Sequence, residues 1–201
     1  MPSAAEIHAQ LAVIANAHSV VAQGWHALVA AAVVALLCGW RPTRLQAALG
    51  ISLLLASVAA FAALHGNPFN TALLSGGAAG VLVAAARAPP RRLQAAPRGE
   101  RLTGAVLLAF GWIYPHFLVA GSPFDYLHAA PLGLVPCPSL AVAIGLALLA
   151  AGLPRAVDAL LAGLGLFYAV FGALVLGVWL DAGLALGAVV LLARLRRPAI
   201  G

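Results

Sequence analysis

The stretch APPRRLQAAPRGER, residues 88–101, sets four arginines and three prolines between two long apolar runs. No regular helix passes through Pro89-Pro90, and arginine is costly inside lipid. The stretch therefore reads as a basic loop that stops one membrane segment and starts the next. The rest of the chain fits that reading. Of its 201 residues, 64% are hydrophobic and 8% charged, where soluble domains carry roughly a quarter charged residues. An all-α integral membrane protein is expected, forming one transmembrane domain over residues 1–201.

Seven apolar segments are predicted as spans: 20–39, 47–64, 71–87, 102–119, 138–153, 159–179 and 182–195. A helix needs roughly 17 to 25 residues to cross a bilayer core, so several of these are short. The arginines decide the count. Arg41 and Arg44 follow the first segment, and Arg87, Arg91, Arg92, Arg98 and Arg101 lie between the third and fourth. Arg155 separates the fifth from the sixth, and Arg194, Arg196 and Arg197 close the chain. Seven spans put every arginine on one side, which the positive-inside rule makes the cytoplasm. Six spans would split Arg155 from the terminal cluster. The expected topology is N-terminus out and C-terminus in, in a bacterial inner membrane. The net charge of +6 then follows from topology and gives no reason to expect nucleic acid. The opening MPSAAEIHAQ carries Glu6 and lacks a basic n-region, so no secretory signal is expected there.

Upstream of the first span, Ile7, Leu11, Ile14, His18, Val21 and Trp25 recur at steps of four and three. That stripe predicts an amphipathic helix over residues 5–19 at the outer interface. His8 and His26 fall on another stripe and are expected to face headgroups.

All six histidines, with Glu6, Asp125 and Asp181, fall on the outer half, opposite the arginines. His65 ends the second span at the tight turn HGNPFN. His116 follows Pro115, which is expected to bend the fourth span. Asp125, His128 and Cys137 belong to GSPFDYLHAAPLGLVPCPSL, residues 121–140. Four prolines keep 121–138 from forming a regular helix, and long ordered loops are commonly functional. The loop is expected to fold back over the outer mouth of the bundle, with Cys137 held extended between Pro136 and Pro138 and Ser139 capping the next helix. His18, His65, His116, His128, Asp125 and Cys137 are the candidate ligands. Imidazole, thiolate and carboxylate suit Cu, Zn or Fe, and histidines also ligate haem, but the spacings form no compact ligand motif.

Cys38 and Cys137 lie at opposite ends and cannot pair. The absence of lysine excludes a retinal Schiff base, and no phosphate-binding loop occurs. No membrane-buried charge is evident. Cys137 has no assigned base, so enzymatic activity is not expected.

HGNPFN, YPHF and APLGLVPCPSLAVAIGLALL together resemble a family of bacterial polytopic inner-membrane proteins. That family carries a Tyr-Pro pair and a later Gly-x-Pro-Cys-Pro-Thr-like segment. The match runs through Val135, Pro136, Cys137, Pro138 and Ser139, with serine where the family has threonine. The resemblance implies fold and topology and brings no activity with it.

Three functions remain. The first is a small binding or transport protein with a histidine-rich outer site under the proline-rich loop, for a metal ion or small solute. The second is a membrane-anchor subunit of a redox complex, binding haem or quinone and packing on partner subunits through its Gly and Ala faces. The third is a scaffold that docks a periplasmic partner without chemistry of its own.

Overall fold

The computed structural model describes residues 3–196, and these form helix after helix. The first, α1 (Ala4–Ala17), opens on a capping box. Glu6 N–H donates to Ser3 Oγ, and Glu6 Oε2 accepts from Ser3 N–H at 2.6 Å, which satisfies two of the amides a helix start leaves open. The chain breaks at His18 and continues as α2 (Ser19–Leu37). A second capping box, Thr43 with Gln46, starts α3 (Arg44–Leu64). Asn67 caps α4 (Pro68–Arg87), whose first residue is a proline preset for that position.

Then follow α5 (Arg98–Trp112), the short α6 (Tyr126–Ala129), α7 (Pro136–Leu149), α8 (Arg155–Val170) and α9 (Gly183–Leu195). Four helical stretches are long and apolar enough to cross a membrane: Ser19–Leu37, Arg44–Leu64, Pro68–Arg87 and Arg155–Val175. The last joins α8 to a π-turn. The helices α5, α7 and α9 have 15, 14 and 13 residues. At 1.5 Å per residue they reach only about 20–23 Å.

The centre of the bundle is α7. Every residue from 129 to 145 is buried, and α7 packs against α3, α5, α8 and α9. A helix apolar on all sides belongs in such an interior. Its closest neighbour is α5, where Gly104 and Gly145 face each other. A Cβ on Gly104 would stand 2.7 Å from the Gly145 carbonyl oxygen, and one on Gly145 2.8 Å from that of Gly104. Lipid gives helices little hydrophobic reason to associate, so small residues that let backbones touch carry much of the attraction.

One end of the bundle is tied by backbone. Strand β1 (Gln94–Ala95) pairs antiparallel with β2 (Ala150–Ala151), and Thr43 bridges Arg92. Arg44 Nε donates to the Gly152 carbonyl at 2.5 Å. These contacts gather the loops after α2, α4 and α7 at one arginine end. The histidines collect at the other. Arg197 lies outside the described residues.

Three expectations are corrected here. The fourth segment does not run bent through Pro115: α5 stops at Trp112, and Tyr114, the residue before proline, leaves the helical region as that position favours. Cys137 is not extended, because Pro136-Cys137-Pro138 forms the first turn of α7, where missing proline N–H groups cost nothing. Ser139 does not cap. Its hydroxyl donates to the Val135 carbonyl at 2.7 Å and accepts from Gly133 N–H at 2.9 Å. Three acidic side chains, Glu100, Asp158 and Asp181, are buried within the bundle.

Candidate functional site

At the histidine end, α1 lies across the mouth of the bundle on its apolar stripe, with Leu11 and Ile14 buried beneath it. Polar contacts fasten it. Asn16 Nδ2 donates to the Phe117 carbonyl at 2.9 Å, and Asn16 Oδ1 accepts from Val119 N–H at 2.9 Å. His8 Nε2 donates to the Leu176 carbonyl at 2.9 Å, and Gln10 donates to the His65 carbonyl. At the α1–α2 break, His18 Nε2 and His65 Nε2 stand 3.1 Å apart as donor and acceptor.

Beneath α1 lies a cavity roofed by Ile7 and Leu11. Its internal room is about 20 Å³, enough for about one water-sized guest. The walls place Asn70, Phe117, Cys137, Tyr168, Phe171 and Asp181 around it.

Asp181 dominates the chemistry. It sits in a 3-10 turn (Trp179–Ala182) just before α9 and is 1% exposed. Its Oδ1 accepts from the Tyr114 hydroxyl at 2.6 Å, and its Oδ2 accepts from the Cys137 thiol at 3.0 Å. Both partners are neutral donors. Arg194, at the other end, forms ion pairs with Glu100 and Asp158. Beside this cluster the Tyr168 hydroxyl donates to Asn70 Oδ1 at 2.9 Å.

Two local distortions build the wall. After α8 the helix widens into a π-turn (Phe171–Val175), where Leu176 N–H reaches back five residues to the Phe171 carbonyl. Such turns recur at functional sites. It brings Gly172 against Asp181 so closely that a Cβ would overlap the carboxylate. Across the cavity, Phe117 has φ +71°, a left-handed conformation that a bulky residue holds only under constraint. The two bonds to Asn16 fix that segment.

The six sequence-predicted ligands separate. His18 meets His65. His116 stands near His8, with ring centroids 5.8 Å apart, and packs edge-on against Phe117. Burial first, and the neighbouring His8 second, hold the His116 imidazole below its usual range, which favours the neutral ring. Asp125 Oδ2 accepts from Gly121 and Ser122 N–H groups at 2.8 and 2.9 Å. His128 is exposed and donates from Nδ1 to the Phe124 carbonyl. Cys137 alone reaches the cavity. Among the described residues, no three or more His, Cys, Asp or Glu side chains gather in a group that could hold a metal ion.

His26, expected at the headgroups, is instead buried at 4% exposure. Its two ring nitrogens face the Ala22 and Trp112 carbonyls at 2.8 and 3.1 Å. Sequence reasoning did not select Asp181, Tyr114, Tyr168 or Asn70 as site residues. The available signal was Asp181 itself, a lone acid between two apolar segments with no arginine nearby in sequence. No family model, curated protein or solved structure matches the chain.

Proposed function

We propose that this chain is a seven-span inner-membrane protein, N-terminus out, that binds a small solute in the outer cavity beneath α1, as a binding or transport protein. The observation that carries the reading is the Tyr114–Asp181–Cys137 cluster. It is a buried carboxylate, held by two neutral donors, that lines a cavity under a helix fastened by polar contacts. Apolar cavities with a few convergent polar groups are where small ligands bind. The arginines at one end support the orientation, and the shortness of α5, α7 and α9 fits helices enclosed by longer neighbours. Membership of the family with the Pro-Cys-Pro signature belongs to the same reading, because that signature sets Cys137 at the cavity wall.

The test is the sidedness of Cys137. With the exposed Cys38 replaced (Cys38→Ser), a membrane-impermeant thiol reagent is added to right-side-out or inverted vesicles. Labelling of Cys137 from the periplasmic side alone is expected. Labelling from the cytoplasmic side, or none from either, contradicts the reading.

A further inference from the structure

We infer that the arginine end holds a binding site for the phosphate of an anionic glycerophospholipid, built on the turn between α2 and α3. It lies at the opposite end from the outer cavity and does not rest on the reading of that cavity. Backbone clasps this turn to the loop after α4. Arg44 N–H donates to the Arg91 carbonyl at 2.9 Å, Leu93 N–H donates to the Pro42 carbonyl at 2.8 Å, and Thr43 bridges Arg92. Two segments far apart in sequence thereby bring Arg41, Arg44 and Arg92 to one place.

Each of these guanidiniums is held by part of its fork. Arg41 Nη1 donates to the Leu36 and Trp40 carbonyls at 3.2 and 3.0 Å. Arg44 donates from Nε to the Gly152 carbonyl and from Nη1 to the Pro89 carbonyl at 3.1 Å. Arg92 Nη1 donates to the Arg41 carbonyl at 3.2 Å. In each, Nη2 is left for another acceptor. A guanidinium is a rigid planar fork of donors that matches phosphate oxygens. One already fixed on backbone loses little further freedom when it closes on an anion. The chain offers these three no carboxylate. Glu100 and Asp158 are buried and paired with Arg194, and no exposed Asp or Glu side chain stands at this end among the described residues.

The setting makes the anion a lipid headgroup. Both α2 and α3 are long and apolar enough to cross a membrane, which sets the turn joining them at headgroup depth. Trp40 is 44% exposed in that turn, and tryptophan favours this depth. Leu37 and Leu45, at the adjoining helix ends, are exposed as well and offer apolar contact to the acyl chains. Basic pockets beside membrane helices recruit anionic headgroups in this way. Arg98 and Arg101 are also exposed, at the start of α5 and outside the clasp. Arginines placed like those two follow from topology alone; the anchored set is what a site requires.

The experiment follows thermal unfolding of the purified full chain in a neutral detergent as phosphatidylglycerol, phosphatidylcholine or inorganic phosphate is added at constant ionic strength. Phosphatidylglycerol is expected to raise Tm saturably, and the other two are expected to reproduce little of the rise. Arg41→Gln combined with Arg92→Gln should raise the lipid mole fraction at half-effect about tenfold. Arg98→Gln combined with Arg101→Gln removes the same charge and should leave it nearly unchanged. No rise with phosphatidylglycerol, or an equal rise with phosphatidylcholine, overturns the inference. An equal rise with inorganic phosphate overturns the assignment to lipid. Equal weakening by the two double variants overturns the site, because only diffuse attraction between charges would remain. Should the first double variant fail to fold, Arg41→Lys with Arg92→Lys keeps the charge and loses the fork. Severalfold weaker binding is then expected, and unchanged binding would overturn the site.

Discussion

The two ends of the bundle bury carboxylates in opposite ways. At the arginine end, Arg194 lies between Glu100 and Asp158, at 2.7 and 3.5 Å, and also donates to the Ala147 and Ala150 carbonyls at 3.1 and 3.3 Å. Charge meets charge, the guanidinium's remaining protons find backbone oxygens, and strands β1 and β2 tie the surrounding loops. At the histidine end, Asp181 accepts hydrogen bonds from a phenol and a thiol, with His8 and His116 as its chargeable neighbours, next to a cavity, a π-turn and a residue in strained backbone. A buried charge with its partner supplied by the chain belongs to the fold. One held by two neutral donors in the wall of a cavity, beside a π-turn, belongs to a less tightly closed part of the bundle. The difference lies in packing and charge, and it points the same way as the histidine–arginine asymmetry of the sequence.

The largest break in that comparison comes from removing the charge partner at the arginine end. Arg194→Met removes the guanidinium that two buried carboxylates share and should cost about 3–5 kcal/mol in unfolding free energy, read by denaturant unfolding in detergent. Adding Glu100→Gln should restore part of it. A cost near zero would show that the two ends are not different in kind. At the histidine end, Asp181→Asn keeps the shape and can still accept one of its two hydrogen bonds, so a smaller cost of about 1–3 kcal/mol is expected. A larger loss than Arg194→Met would make Asp181 a structural charge. Tyr168→Phe removes one neutral hydrogen bond to Asn70 and should cost about 1 kcal/mol, with no change in the arginine-end variants measured beside it.

The smallest effect concerns the start of α1. The Ser3 backbone N–H first, and its hydroxyl second, hold the exposed Glu6 carboxyl below its usual range. The capping box is therefore fully in place above the ordinary carboxylate value and is lost as pH falls through the lowered one. Amide exchange in the first turn of α1 should quicken over that acid window, and Glu6→Gln should remove the dependence.

The sequence made the helical class and the segregation of arginine legible, because lipid imposes both residue by residue. Each expected segment has a helical counterpart, some ends coinciding and others displaced by up to nine residues. The displaced ends are where proline acts by position. Pro115 terminates α5 where a kink was expected, and Pro136 starts α7 where an extended link was expected; composition alone does not separate these roles. The amphipathic stripe through Leu11 and Ile14 did identify the buried face of α1. The site was less legible. Six ligand candidates were chosen by type and depth, and they scatter, because a histidine near a helix end finds a carbonyl or another ring as easily as a ligand. Asp181 and Tyr114 are 67 residues apart, and only the π-turn and the close approach at Gly172 bring their elements together. No periodicity carries that information.

Binding beneath α1, as proposed, requires that helix to lift from the Asp181 cavity, and its most direct test is the labelling rate of Cys137 when α1 is loosened. Asn16→Ala removes both side-chain bonds that hold Phe117 and Val119 to α1, a loss of about 1–2 kcal/mol. In the Cys38→Ser background this should raise the rate of labelling from the periplasmic side by about tenfold, since 1.4 kcal/mol is tenfold in an opening equilibrium, while the unfolding midpoint of the bundle moves little. An unchanged rate, or a rise only in step with global unfolding, would contradict the claim and make α1 a fixed part of the core.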